Sequence, residues 1–281
     1  MNGSTGNIST ISVSSGNLKH FMDVTKLLFT ICYSLNLTLG LPTNIYVVKL
    51  ILTGAAGQMA SEFFALNLAV NESLYCLLNV LGLLDFHYFM GSFYRARVFS
   101  TGFICTSRPL FQCCICLERF LAVVYPVVFL KYKPLRYRMV CAGFVYMWII
   151  GSCSLALYMS FSSMFFYYYM SQYLAVFLVQ LFCCLSVLRA LKRPGPGDGD
   201  RERDGSNSMK RKAFSIILII LLSFVVNCLP VAVIVPLQSY LRPDDFFLVL
   251  SVCFATIVLT GFVQPIIYLH RAGKLPCIRR L

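Results

Sequence analysis

Seven stretches of the chain carry almost no charge, and short polar segments separate them. They cover residues 27–52, 61–84, 93–124, 139–160, 164–191, 213–238 and 244–269. Each is about long enough to cross ~30 Å of hydrocarbon as a helix. A backbone in hydrocarbon must satisfy its own hydrogen bonds, and within a single segment only a helix does so. The pattern predicts an all-α membrane protein, a seven-transmembrane helix bundle over 27–269. Residues 1–26 are then an outer N-terminal segment and 270–281 a cytoplasmic tail that starts as a short surface helix. The density of Gly and Pro from Pro194 to Gly199 predicts a flexible inner loop over 194–209.

Composition agrees with this pattern. Of 281 residues, 58% are hydrophobic and 12% charged, against roughly 25% charged in soluble domains. The net charge of +13 would suggest nucleic acid in a soluble protein, but here its distribution carries the information. Sixteen Lys and Arg fall in the third-to-fourth and fifth-to-sixth connections and the tail, including Lys131, Lys133, Arg136 and Arg138. Five fall on the opposite side, namely Lys19, Lys26, Arg95, Arg97 and Arg242. The positive-inside rule puts the N-terminus outside and makes the chain a multi-pass protein, expected at the plasma membrane. The first twenty residues have no apolar stretch, so the first span is expected to serve as its own export signal. Asn2 and Asn7 head glycosylation sequons on the outer side, whereas the sequons at Asn36 and Asn71 lie in spans and should stay bare. Three scattered histidines and no nucleophile or metal spacing predict neither an enzyme nor a cofactor. Thirteen cysteines sit mostly in apolar runs, where cysteine acts as a small hydrophobe.

Polar groups at membrane depth are costly and point to mechanism. Glu72 lies near the middle of the second span. Arg108 lies eleven residues before Arg119 in the third, ~16 Å along a helix and so near the midplane. Opposite charges at one depth should meet, so Glu72 and Arg108 are expected to form a buried ion pair; the alternative is a wet cavity around each. Pro42, Pro109, Pro230, Pro236 and Pro265 fall inside spans, and Pro230 offers a hinge in the sixth.

The order of several motifs resembles the rhodopsin-like (class A) G-protein-coupled receptors over nearly the whole chain. Gly40 to Asn44 is similar to the family's span-one motif, and Leu66-Asn67-Leu68-Ala69 followed by Glu72 to its span-two motif. Glu118-Arg119-Phe120 resembles Asp/Glu-Arg-Tyr, and Ala122 to Pro126 continues as in the family. Trp148 matches the span-four tryptophan, Phe224 and Pro230 match span six, and Gln264-Pro265 with Tyr268 resembles Asn-Pro-x-x-Tyr. Spans two and three are loosely similar to the purinergic, proteinase-activated and hydroxy-acid receptors. The resemblance implies a receptor that passes an extracellular signal to a heterotrimeric G protein through outward movement of span six. Glu118 would hold Arg119 at rest, and Phe120, Phe224, Pro230, Pro265 and Tyr268 would act as switches. The ligand would lie among Arg97, Thr101, Cys105, Tyr173, Val231, Val235, Phe254 and Val258. With an apolar floor and basic rim, a lipid or organic acid is the expected class. The alternative is that Arg95 and Arg97 pair with Asp85 or with lipid phosphates at the membrane surface.

The chain also departs from the family. Tyr94 stands where the family has its bridging cysteine, and Cys228 where it has a span-six tryptophan. The family's sodium pocket maps to Glu72, Arg108 and Gln264, and the guanidinium would occupy the cation's place. Cys277, among basic residues, is a palmitoylation candidate. Two rivals to a receptor are a transporter or channel, and a receptor-shaped protein that does not signal.

Overall fold

The apolar runs form helices because the intrahelical ladder satisfies every N–H and C=O without water. The computed structural model describes residues 23–54, 62–89, 93–132, 134–159, 162–192, 200–234, 236–262, 265–266 and 268–269. Its long helices are α1 (Asp23–Leu52), α2 (Phe63–Leu84), α3 (Tyr94–Val124), α4 (Leu135–Met159), α5 (Ser163–Lys192), α6 (Asp200–Ile234) and α7 (Pro243–Leu259). A short helix, Pro126–Tyr132, links α3 to α4. No strand occurs among the described residues. Among the described residues, five segments are long and apolar enough to cross a membrane: α1, α2, α4, most of α5, and Ile217–Ile234 of α6. The chain is thus an all-α protein with membrane-embedding helices. Its outward faces are apolar, with Phe144 74% and Met147 70% exposed. Water would penalise such faces, whereas lipid tails accept them.

Helix α3 packs against α2, α4, α5 and α6. It approaches its neighbours closely at Gly102, where a Cβ would lie 2.8 Å from Ala156 Cβ and 2.9 Å from Tyr169 Oη. Small residues at such crossings let backbones meet where no hydrophobic force drives association. In α1 the ladder widens to a π-helical turn over Asn36–Gly40. Pro42 follows directly, and its ring displaces the carbonyl four residues back at Thr38, which a wider turn accommodates. Asn36 and Asn71 are 1% exposed.

Several boundaries differ from the sequence reading: α7 ends at Leu259, short of 269, and α1 and α4 start four residues early. Helix α6 starts at Asp200, inside the stretch expected to be a flexible loop. Gly and Pro end at Gly199, and Asp200-Arg201-Glu202-Arg203-Asp204 follows. In that sequence, acids in a first turn suit the helix dipole, and opposite charges recur three residues apart.

Candidate functional site

Polar side chains converge at mid-depth from four helices. Glu72 of α2 and Arg108 of α3 are 2% and 4% exposed. Arg108 donates through Nε to Glu72 Oε1 at 2.5 Å and through Nη2 to Oε2 at 2.8 Å. This two-bond fork fixes direction as well as charge. The remaining nitrogen, Nη1, donates to the Ile257 carbonyl and to Thr260 Oγ1 at 3.2 Å. Ile257 lies in the last turn of α7, at the negative end of the dipole, and its carbonyl also lies 2.9 Å from Thr260 Oγ1. Thr260 Oγ1 in turn lies 2.9 Å from Asn227 Oδ1 of α6. The guanidinium thus joins α2, α3 and α7 directly and reaches α6 through one hydroxyl.

Gly261 completes this junction. A Cβ there would lie 2.9 Å from Arg108 Nη2 and 3.0 Å from Glu72 Oε2. Only glycine lets the backbone of the short turn after α7, Thr260–Phe262, approach both charged groups. Sequence reading singled out Glu72 and Arg108 but passed over Asn227, Thr260 and Gly261. Asn227 and Thr260 had a usable signal, since each is a polar residue inside an apolar run. Gly261 had none, because its role depends on a tertiary approach.

Toward one end of the bundle, Cys105, Tyr173, Phe224, Val231 and Val258 are buried in one apolar cluster, with Phe254 packed against it. Tyr173 and Phe224 meet edge to face at 5.5 Å. Five of the eight candidate ligand positions, Cys105, Tyr173, Val231, Phe254 and Val258, therefore come together, but as packed core side chains. Thr101 is half-buried. Arg97 Nε lies 2.9 Å from Asp85 Oδ2, the alternative to ligand binding. Asp85, 2% exposed, also accepts the Phe93 backbone N–H at 2.8 Å. The acid thus anchors the start of α3, where the dipole favours it.

The opposite end carries a second set of charges, and here one expectation is corrected. Glu118 does not hold Arg119. Arg119 Nη2 donates to Glu62 Oε1 at 3.1 Å and Oε2 at 3.2 Å, while Glu118 Oε1 accepts Arg138 Nη2 at 2.8 Å. Adjacent helical residues point about 100° apart and do not face each other. Arg119 therefore turns to the start of α2, and Glu118 to α4. Arg119 Nε and Arg138 Nη1 are buried without a hydrogen-bond partner. Phe120 is buried and meets Tyr125 and Phe182 edge to face. Tyr268 is buried against Val47, Ile51 and Ala69. Pro230 lies inside α6, and Pro265 is buried.

Val235, Gln264, the sequons at Asn2 and Asn7, Cys277 and the tail expected to form a surface helix lie outside the described residues. The described cysteines are free thiols. No protein-family model matches the chain, and no curated protein is significantly similar to it.

Proposed function

We propose that this chain is a rhodopsin-like G-protein-coupled receptor, with its N-terminus outside and its basic loops facing a heterotrimeric G protein. The reading rests on the motif order and on the charge asymmetry of the loops. The observation that carries it is the state of Arg119. This residue ends the motif most characteristic of the family, sits at the basic end of α3, and is held through Nη2 by a carboxylate from a neighbouring helix start. Its Nε is buried without a partner. An unmet buried donor destabilises the resting arrangement, so a segment offering backbone carbonyls can compete for this guanidinium. Outward movement of α6, with Pro230 as its hinge, makes room for that segment. The signal enters at the end that holds Cys105, Tyr173 and Val231, from a lipid or organic acid. Because Asp85 engages Arg97, an acidic head group would have to displace that carboxylate.

A receptor with this resting arrangement has measurable basal activity. Membranes from cells expressing the chain should accelerate guanine-nucleotide exchange on at least one G-protein class. Arg119→Ala at equal surface expression should bring exchange back to the level of untransfected membranes. A transporter, a channel or a non-signalling relative would give exchange equal to background in both, and that result would overturn the proposal.

A further inference from the structure

A groove of about 480 Å³ opens on the outer surface between α3, α4 and the short helix Pro126–Tyr132, and its walls are almost wholly apolar. Tyr132, Tyr137, Phe144, Val145 and Trp148 line it, with Leu110 from α3. From Tyr137 to Trp148 the α4 contribution follows a three-and-four spacing, so it is one helical stripe. Eleven residues at ~1.5 Å each give the stripe a length of ~16 Å, about the depth of one leaflet of a ~30 Å hydrocarbon core.

One end of the stripe is basic. Tyr132 and Tyr137 meet edge to face at 5.3 Å. Lys131 Nζ lies over the Tyr132 ring at 5.9 Å, and the Arg136 guanidinium over Tyr137 at 4.8 Å. Arg136 Nη2 also donates to Tyr137 Oη at 3.2 Å. The rings thus hold two exposed cations at the mouth of the groove. The arrangement complements a molecule with an anionic head and a long apolar tail. We infer that this groove binds an anionic phospholipid, with an acyl chain along the α4 stripe and the head-group phosphate on Lys131 and Arg136. Arg gives the phosphate directional hydrogen bonds and Lys a point charge. This inference needs the chain to lie in a membrane and does not depend on signalling.

The test uses the chain's own reporter. Trp148 is its single tryptophan and lines the groove. The full chain is reconstituted in phosphatidylcholine bilayers containing either dibrominated phosphatidylserine or dibrominated phosphatidylcholine at equal mole fraction. Quenching of Trp148 should give phosphatidylserine a relative affinity about five- to tenfold higher. Molar salt should weaken that preference by screening. Lys131→Gln with Arg136→Gln should abolish it while leaving quenching by brominated phosphatidylcholine unchanged, which also shows that Trp148 has stayed in place. Arg189→Gln, a cation outside the groove, should keep the preference. Equal quenching by both lipids in the natural chain overturns the inference, without any variant needing to fold. So does a preference that survives the double substitution or disappears with Arg189→Gln, and so does displacement of both brominated lipids alike by cholesterol, which would mark a sterol site.

Discussion

The two charged clusters on α3 are built from the same residue types and differ in how completely they are closed. At mid-depth, the Arg108 and Glu72 side chains are 5% and 2% exposed, and the carboxylate is gripped by two separate nitrogens. At the basic end, the Arg119 and Glu62 side chains are 20% and 13% exposed, and both contacts come from one nitrogen. Arg108 directs its third nitrogen to α7, whereas Arg119 and Arg138 each keep a buried N–H without an acceptor. A charge stranded at the centre of a membrane costs at least about 2.5–3.5 kcal/mol, so the first cluster resists opening. The Arg119–Glu62 pair is the more open of the two and is held through one nitrogen, so it exchanges partners more readily than the closed pair. For the receptor proposed above, one cluster would act as a fixed joint and the other as a latch.

Removing one half of the joint should have the largest effect. Arg108→Ala or Glu72→Ala leaves the surviving charge without its counter-ion, and each should destabilise the fold by about 3–5 kcal/mol. Replacing both, as Glu72→Leu with Arg108→Met, should cost less than either single change, because no charge is left stranded. Thermal unfolding of the detergent-purified variants gives the order directly. If the double variant is the least stable, the pair does not act as one unit.

The joint also has a steric side. Gly261→Ala would put a methyl within 3.0 Å of both Arg108 Nη2 and Glu72 Oε2. Those atoms are side-chain tips, but the two-bond fork and the α7 contacts hold them, so they cannot move aside freely. The expected loss is about 1–3 kcal/mol, as for overpacking in a full core. In the Glu72→Leu, Arg108→Met background the methyl meets uncharged atoms instead, and much of the loss should disappear. An equal loss in both backgrounds would mean that Gly261 acts through its own backbone and not through the pair.

The latch should respond in signalling more than in stability. Glu62→Gln weakens the hold on Arg119 but keeps a carbonyl acceptor in place, so it should lower the melting temperature less than either change at Arg108 or Glu72. It should raise basal nucleotide exchange relative to the natural chain. Glu118→Gln releases Arg138, which belongs to α4, and should raise exchange less. The reverse order would restore Glu118 as the group that restrains Arg119.

These contrasts also show which features the sequence made legible. Helix positions were readable because membrane depth enforces apolar runs, and α2 and α3 begin and end within two residues of their expected bounds. Glu72 and Arg108 stood out because depth can be counted along a helix and charge is rare there. The partners of Arg119 and Glu118 were not readable. They depend on rotation about the α3 axis and on which neighbour lies on each side, and a motif of adjacent residues suggested a contact that helical geometry does not provide. The start of α6 was misplaced because Gly and Pro next to it were weighed more heavily than the charge pattern that begins at Asp200.

The smallest expected effect is none, and it separates the joint from an ion site. Under the receptor reading proposed above, the acid of the second span would be expected to help hold a sodium ion. Here both oxygens of Glu72 accept hydrogen bonds from Arg108. The guanidinium carries the compensating charge, and the Ile257 carbonyl and Thr260 hydroxyl that could serve as further oxygen ligands face the same group. A sodium ion would have to displace a buried, multiply bonded cation and leave it uncompensated, which costs several kcal/mol. Replacing sodium with choline at constant ionic strength should therefore leave the melting temperature and basal exchange unchanged. In Arg108→Ser, the acid loses its counter-ion and gains room, so sodium dependence should appear. If the natural chain already responds to sodium, the joint opens often enough to admit an ion, and the division between a fixed middle and a movable end fails.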